Sequence, residues 1–72
     1  MSKIRSYTLT AREEQVMKHL VLGLTAKEIG DAMGIKQYTV QAHVSNIHAK
    51  YGVHKTARAV ALYLQQKSTP KV

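Results

Sequence analysis

The chain of 72 residues has no cysteine, tryptophan or phenylalanine, one proline and only four acidic residues. Without cysteine it can build neither a disulfide framework nor a thiolate zinc site, the two usual props of so small a domain. Stability must then come from helix packing or self-association. A chain of this length forms one domain at most and buries only about 60% of the surface its unfolded form exposes, so an enzyme with a deep substrate pocket is not expected. No apolar run approaches the roughly 18 residues needed to cross a bilayer. The opening Met1-Ser2-Lys3-Ile4-Arg5-Ser6 also lacks the apolar stretch of a secretory signal. The expectation is a soluble, cytoplasmic chain with no membrane partner.

What the chain does have is basic charge, unevenly placed. Residues 1–35 hold five bases and all four acids, Glu13, Glu14, Glu28 and Asp31, whereas Lys36 onward holds six bases and no acid, for a formal total of +7. Such asymmetry in a short domain fits nucleic acid or an anionic surface. The plainer alternative is surface charge that keeps a small protein soluble.

Glycines and capping signals divide the sequence into four predicted helices. Thr10-Ala11-Arg12-Glu13 reads as a capping box opening a first helix over about residues 11–22, with Val16, Met17, Leu20, Val21 and Leu24 along one side and Gly23 ending it. Thr25-Ala26-Lys27-Glu28 repeats the device, and Leu24 can staple onto Ile29. This second helix should span about residues 26–33, bury Ile29 and Met33 with help from Ala32, and stop at Gly34. Only Gly34-Ile35-Lys36 separates it from a third helix over about residues 37–51, so the pair must cross steeply, as in a helix-turn-helix. In the third helix Val40, Val44, Ile47 and Tyr51 form one narrow core stripe. Its cap position holds Lys36, which cannot accept a hydrogen bond from the first N–H groups.

Gly52 ends the third helix, and a fourth should cover about residues 56–66. Ala57, Val60, Ala61 and Leu64 read as its core stripe, leaving Ala59, Leu62 and Tyr63 as apolar surface outside it. The domain should thus run from residue 9 to 66, between a flexible segment 1–8 and a mobile basic tail 67–72. The expected fold is all-α, a compact four-helix bundle around a central helix-turn-helix.

Opposite the core stripe of the third helix lie Tyr38, Ala42, Ser45 and Ala49, flanked by Gln41 and Asn46, with no acid among them. Small side chains let a helix approach a major groove closely. Gln can bond an adenine edge bidentately, Ser can bond several bases, and an Ala methyl can touch a thymine methyl. Lys27, Lys36, Lys50 and Lys55 lie at helix ends or turns from which phosphates could be reached.

These residues resemble the LuxR/GerE-type (NarL/FixJ-type) helix-turn-helix DNA-binding domain of bacterial transcription regulators. The resemblance spans Leu9 to about Val60. It rests on Leu9-Thr10-x-Arg12-Glu13-x-x-Val16, on Gly23-Leu24-Thr25-x-Lys27-Glu28-Ile29, on Thr39-Val40-x-x-His43-x-x-x-Ile47-x-x-Lys50-x-Gly52-Val53, and on Ala59-Val60. The resemblance implies that the third helix reads the major groove and that the fourth mediates dimerisation. It points to Gln41, Ala42 and Ser45 as base-reading residues, with Tyr38 at the edge. Thr25, Lys27, Lys36, Thr39, His43 and Lys50 would hold the DNA backbone, and Ala59, Leu62, Tyr63 and Gln66 would form the dimer face. The chain departs from the family where Lys commonly follows the Thr-Val pair, since Gln41 stands there. Ser45 replaces a frequent base, Lys36 a common Ser or Thr cap, Ala26 an Asn and Thr56 an Arg.

The expected partner is double-stranded DNA, bound by a homodimer, with RNA polymerase or another regulator as a further partner. A protein-interaction module that pairs with a larger regulator is the alternative, and a sigma-factor fragment fits residues 39–53 less well. No cofactor or metal is expected. His43 and His48 are five apart, and His19 and His54 sit on other segments without neighbouring ligands. His43 reads equally as a backbone contact or as packing against the second helix. No Ser/His/acid set, carboxylate pair or phosphate loop suggests catalysis.

Overall fold

A computed structural model describes residues 8–67, which form α1 (Ala11–Val21), α2 (Ala26–Met33), α3 (Gln37–Tyr51) and α4 (Thr56–Lys67). No strand occurs among the described residues. Apart from Thr8 and Lys67, the segments 1–8 and 67–72 that were expected to be mobile lie outside the described residues.

Both capping boxes are formed. Thr10 Oγ1 accepts from the Glu13 N–H at 3.1 Å while Glu13 Oε1 accepts from the Thr10 N–H at 3.0 Å. In α2, Thr25 Oγ1 accepts from the Glu28 N–H at 3.2 Å and Glu28 Oε1 from the Thr25 N–H at 2.8 Å. A cap of this kind contributes about 1 kcal/mol, enough to set where a short helix begins. The starts of all four helices fall where the sequence places them. α1 ends one residue earlier than expected and α4 one later.

The core collects residues from every helix: Val16 and Met17 of α1, Ile29 of α2, Val40, Ile47 and Tyr51 of α3, and Ala59 and Tyr63 of α4. α3 is the spine and packs against the other three helices. Leu24, the outer member of the expected staple, is partly buried against this cluster, as is Ile35. Between α2 and α3 the chain turns tightly, with the Ile35 N–H donating to the Gly30 carbonyl at 2.9 Å. A Cβ at Gly30 would sit 2.8 Å from the Ile35 carbonyl oxygen, so this turn closes only over a residue without a side chain.

Two side-chain expectations are overturned. Ala32 is exposed and does not assist the core of α2. α4 is rotated from the expected setting: Ala59 and Tyr63 are sealed inside, while Ala57 and Ala61 are exposed and Leu64 is 45% exposed. The physical reason is Tyr63. Its ring is the largest apolar surface on α4 available for burial, and turning it inward lets its hydroxyl donate to Glu14 Oε2 of α1 at 2.6 Å. Ala59, one turn earlier on the same side, keeps the helices close. Burial, then the hydrogen bond and charge of Glu14, push the Tyr63 hydroxyl from its ordinary 10.0 up to about 12.

Candidate nucleic-acid interface

Burying Val40, Ile47 and Tyr51, with Val44 half-buried beside them, turns the opposite side of α3 to solvent. Tyr38, Gln41, Ala42, Ser45, Asn46 and Ala49 are all exposed there, Tyr38 by 71%. The side chains of Gln41 and Ser45 make no hydrogen bond among the described residues, so their donors and acceptors are available to a ligand. The structure therefore brings the four expected base-reading residues onto one face.

That face begins at a helix start with no side-chain cap. Lys36 at the cap position makes no cap hydrogen bond, and its carbonyl accepts from the Thr39 and Val40 N–H groups at 3.0 and 3.2 Å. The N–H groups of Gln37 and Tyr38 have no intrahelical acceptor at this position. With the exposed Lys36 ammonium beside them they make a locally positive end to this face.

The residues expected on the DNA backbone divide into three situations. Lys36 is exposed, as are Thr25 and Lys27, though both of the latter also have partners within the fold. The Thr25 hydroxyl oxygen is engaged as the α2 cap, leaving its O–H to donate outward. Lys27 lies 3.6 Å from Asp31 in a solvent-exposed i,i+4 pair, a weak interaction that opens readily. Thr39 and His43 are half-buried on α3. Lys50 is turned inward: its Nζ donates to Glu13 Oε1 at 2.6 Å and to the Thr8 carbonyl at 3.1 Å.

Glu13 is only 4% exposed. Burial alone would raise its pKa, but hydrogen bonds from the Lys50 ammonium and the Thr10 backbone, together with the Lys50 charge, outweigh it and hold the pKa below its ordinary value. The pair joins residues 37 positions apart, and no local pattern in the sequence announces it.

The four residues expected at a dimer face do not form an outward patch. Ala59 and Tyr63 are buried, Leu62 is half-buried against the core, and Gln66 accepts a hydrogen bond from the Tyr51 hydroxyl at 3.4 Å. The apolar surface that α4 offers outward is Ala57, Ala61 and Leu64.

The corner between α3 and α4 is hollowed. Gly52, Val53, His54, Lys55 and Arg58 surround an open hollow of about 420 Å³. Arg58 was not singled out from the sequence, and the fold brings it to the same hollow as Lys55. His48 Nε2 lies 3.2 Å from Thr56 Oγ1 and ties this corner together. Among the described residues no three His, Cys, Asp or Glu side chains gather as a metal site would require, and no helix is long and apolar enough to cross a membrane.

Comparison with known proteins gives the same reading as the motifs. The family of bacterial regulatory proteins, luxR family (GerE), matches residues 7–63. The chain is 40% identical over 52 residues to the fimbriae Z protein of Escherichia coli K12, covering 72% of this chain and 25% of that one. It is 37% identical over 59 residues to the nitrate/nitrite response regulator protein NarP of the same strain, covering 82% and 27%. To the spore germination protein GerE of Bacillus subtilis 168 it is 40% identical over 57 residues, covering 79% of this chain and 77% of that one. The chain thus spans about a quarter of the length of the first two relatives and most of the third. The family is one of bacterial regulatory proteins rather than enzymes, and NarP is a response regulator, in keeping with the expectation from size. With its helix-turn-helix motifs, four-helix fold and family match in agreement, the chain belongs to the luxR family of DNA-binding bacterial transcription regulators.

Proposed function

We propose that the chain binds double-stranded DNA with α3 in the major groove, as a homodimer on a two-fold symmetric site. The observation that carries this is the face of α3: exposed, free of acids, and with Gln41 and Ser45 unbonded. Gln41, Ala42 and Ser45 read bases, with Tyr38 at the edge. Thr25, Lys27, Lys36, Thr39 and His43 hold the phosphate backbone. The neutral reading positions choose the sequence, and the surrounding bases supply most of the affinity.

Dimerisation in this reading uses the outward side of α4, Ala57, Ala61 and Leu64, in place of the buried Ala59 and Tyr63. Two copies of α3 would then enter successive major grooves about 34 Å apart. The same apolar side favours one other reading, a module that pairs with a larger regulator or with RNA polymerase.

Fluorescence anisotropy with a duplex selected from a random library, and with a random duplex, tests the proposal. Lys27→Ala should weaken binding to both duplexes alike and flatten the salt dependence by about one unit, whereas Gln41→Ala should change sequence preference. If neither substitution alters DNA binding, the face has been misassigned. Absence of any binding at low salt would leave the pairing module as the reading.

A further inference from the structure

We propose that Lys50 is a positioning residue for the reading helix and not a phosphate contact, with Glu13 as its obligatory partner. The proposal rests on the DNA-binding reading of α3. Lys50 occupies the last turn of α3, and its Nζ is held by Glu13 Oε1 at 2.6 Å and by the Thr8 carbonyl at 3.1 Å. The same Oε1 accepts from the Thr10 N–H at 3.0 Å. One carboxylate oxygen therefore closes the cap of α1 and fastens the C-terminal end of α3, while the Thr8 carbonyl adds the segment leading into α1 to the same knot.

A phosphate drawing Lys50 outward would have to separate it from a carboxylate that is 4% exposed. That would strand a buried charge without its counter-charge, a strongly unfavourable exchange. Lys36, exposed at the start of α3, needs no such separation, and Lys27 would leave only the solvent-exposed Asp31. The pair instead ties α3 to α1 at the end opposite the open cap, so the angle at which Gln41, Ala42 and Ser45 are presented depends on it.

The two roles give opposite signs for Glu13. If Lys50 gripped phosphate, removing the Glu13 charge would release it and tighten DNA binding. If Lys50 positions α3, removing that charge weakens recognition. The test is Glu13→Gln, Lys50→Met, Lys50→Arg and the Glu13→Gln/Lys50→Met double variant, titrated against the selected and random duplexes over a range of salt.

For Glu13→Gln and for Lys50→Met we expect the ratio of selected to random affinity to fall about three- to tenfold, with the double variant no worse than either single. The salt dependence should stay that of the wild type, and Lys50→Arg should restore the ratio. A loss of stability alone would lower both affinities together and leave the ratio unmoved, which would overturn the proposal. So would a salt dependence flattened by about one unit in Lys50→Met, or unchanged or tighter binding by Glu13→Gln. If Lys50→Met does not fold, the sign of the Glu13→Gln effect decides. Wild-type protein that binds neither duplex at low salt would overturn the DNA reading itself and this proposal with it; a wild type that binds separates the two.

Discussion

At its C-terminal end α3 is held on several sides. Ile47 and Tyr51 are sealed in the core, Lys50 is bonded to Glu13 and Thr8, and the Gly52 N–H closes the helix on the His48 and Ala49 carbonyls. At its N-terminal end Lys36 caps nothing, Tyr38 is 71% exposed, and Gln41 projects without a side-chain hydrogen bond among the described residues. One helix therefore has an end whose polar groups are committed to the fold and an end whose polar groups are left for something else. The difference follows from hydrogen-bond accounting. A donor satisfied inside is not available outside, and a surface that stability does not require can be shaped by recognition.

The comparison can be broken most severely by cutting a methylene-rich side chain from the fastened end. Ile47→Ala should lower stability by about 2–5 kcal/mol, read as a shift in the urea midpoint. Gln41→Ala, toward the open end, should stay within about 0.5 kcal/mol of wild type. Equal losses at the two positions would show that α3 is not divided as described.

A smaller effect is expected at Tyr63, which helps anchor α4 to the same core. Tyr63→Phe removes the hydrogen bond to Glu14 and should lower stability near neutral pH by about 1–3 kcal/mol. Because the folded-state pKa is raised, this contribution is fully present below pH 10.0 and is lost as pH rises to about 12. Unfolding followed across that window should show a steep alkaline loss in the wild type and a shallower one in Tyr63→Phe.

The smallest change is a gain. Lys36→Ser supplies the missing cap acceptor and should raise stability by about 0.5–1 kcal/mol, while weakening binding to all DNA sequences alike through the loss of one positive charge. A higher melting temperature joined to lower affinity would sharpen the contrast between the two ends. A gain in both would mean that the open cap has no part in DNA binding.

Local signals made most of the architecture legible. The Thr10/Glu13 and Thr25/Glu28 boxes, the Gly34 and Gly52 stops and the Val40/Ile47/Tyr51 stripe act over a few residues, so their meaning survives without knowledge of the fold. The exposed face of α3 was legible for the same reason: a narrow core stripe defines its opposite. α4 was not, because Ala57, Ala59, Val60, Ala61, Leu62, Tyr63 and Leu64 make it apolar almost all round. A helix wheel without a polar side has no phase, and the setting was chosen by where Tyr63 could bury its ring and still reach Glu14. The inward bond of Lys50 was not legible for a related reason. A lysine in the last turn of a helix reads as a surface base until the fold brings a buried carboxylate to 2.6 Å.

By itself, then, the sequence determined the number of helices, their starts, the short α2–α3 turn at Gly34 and the neutral side chains offered by α3. Each of these depends on caps, glycines and a 3.6-residue period that operate within one or two turns. Only the tertiary structure decided which side of α4 faces the core, that Ala57, Ala61 and Leu64 remain outside, and that one of the bases in the second half of the chain is neutralised from within. Those choices join groups 37 and 49 positions apart, and contacts at such separations are settled by competition among all ways of packing the core, which no short stretch of sequence contains.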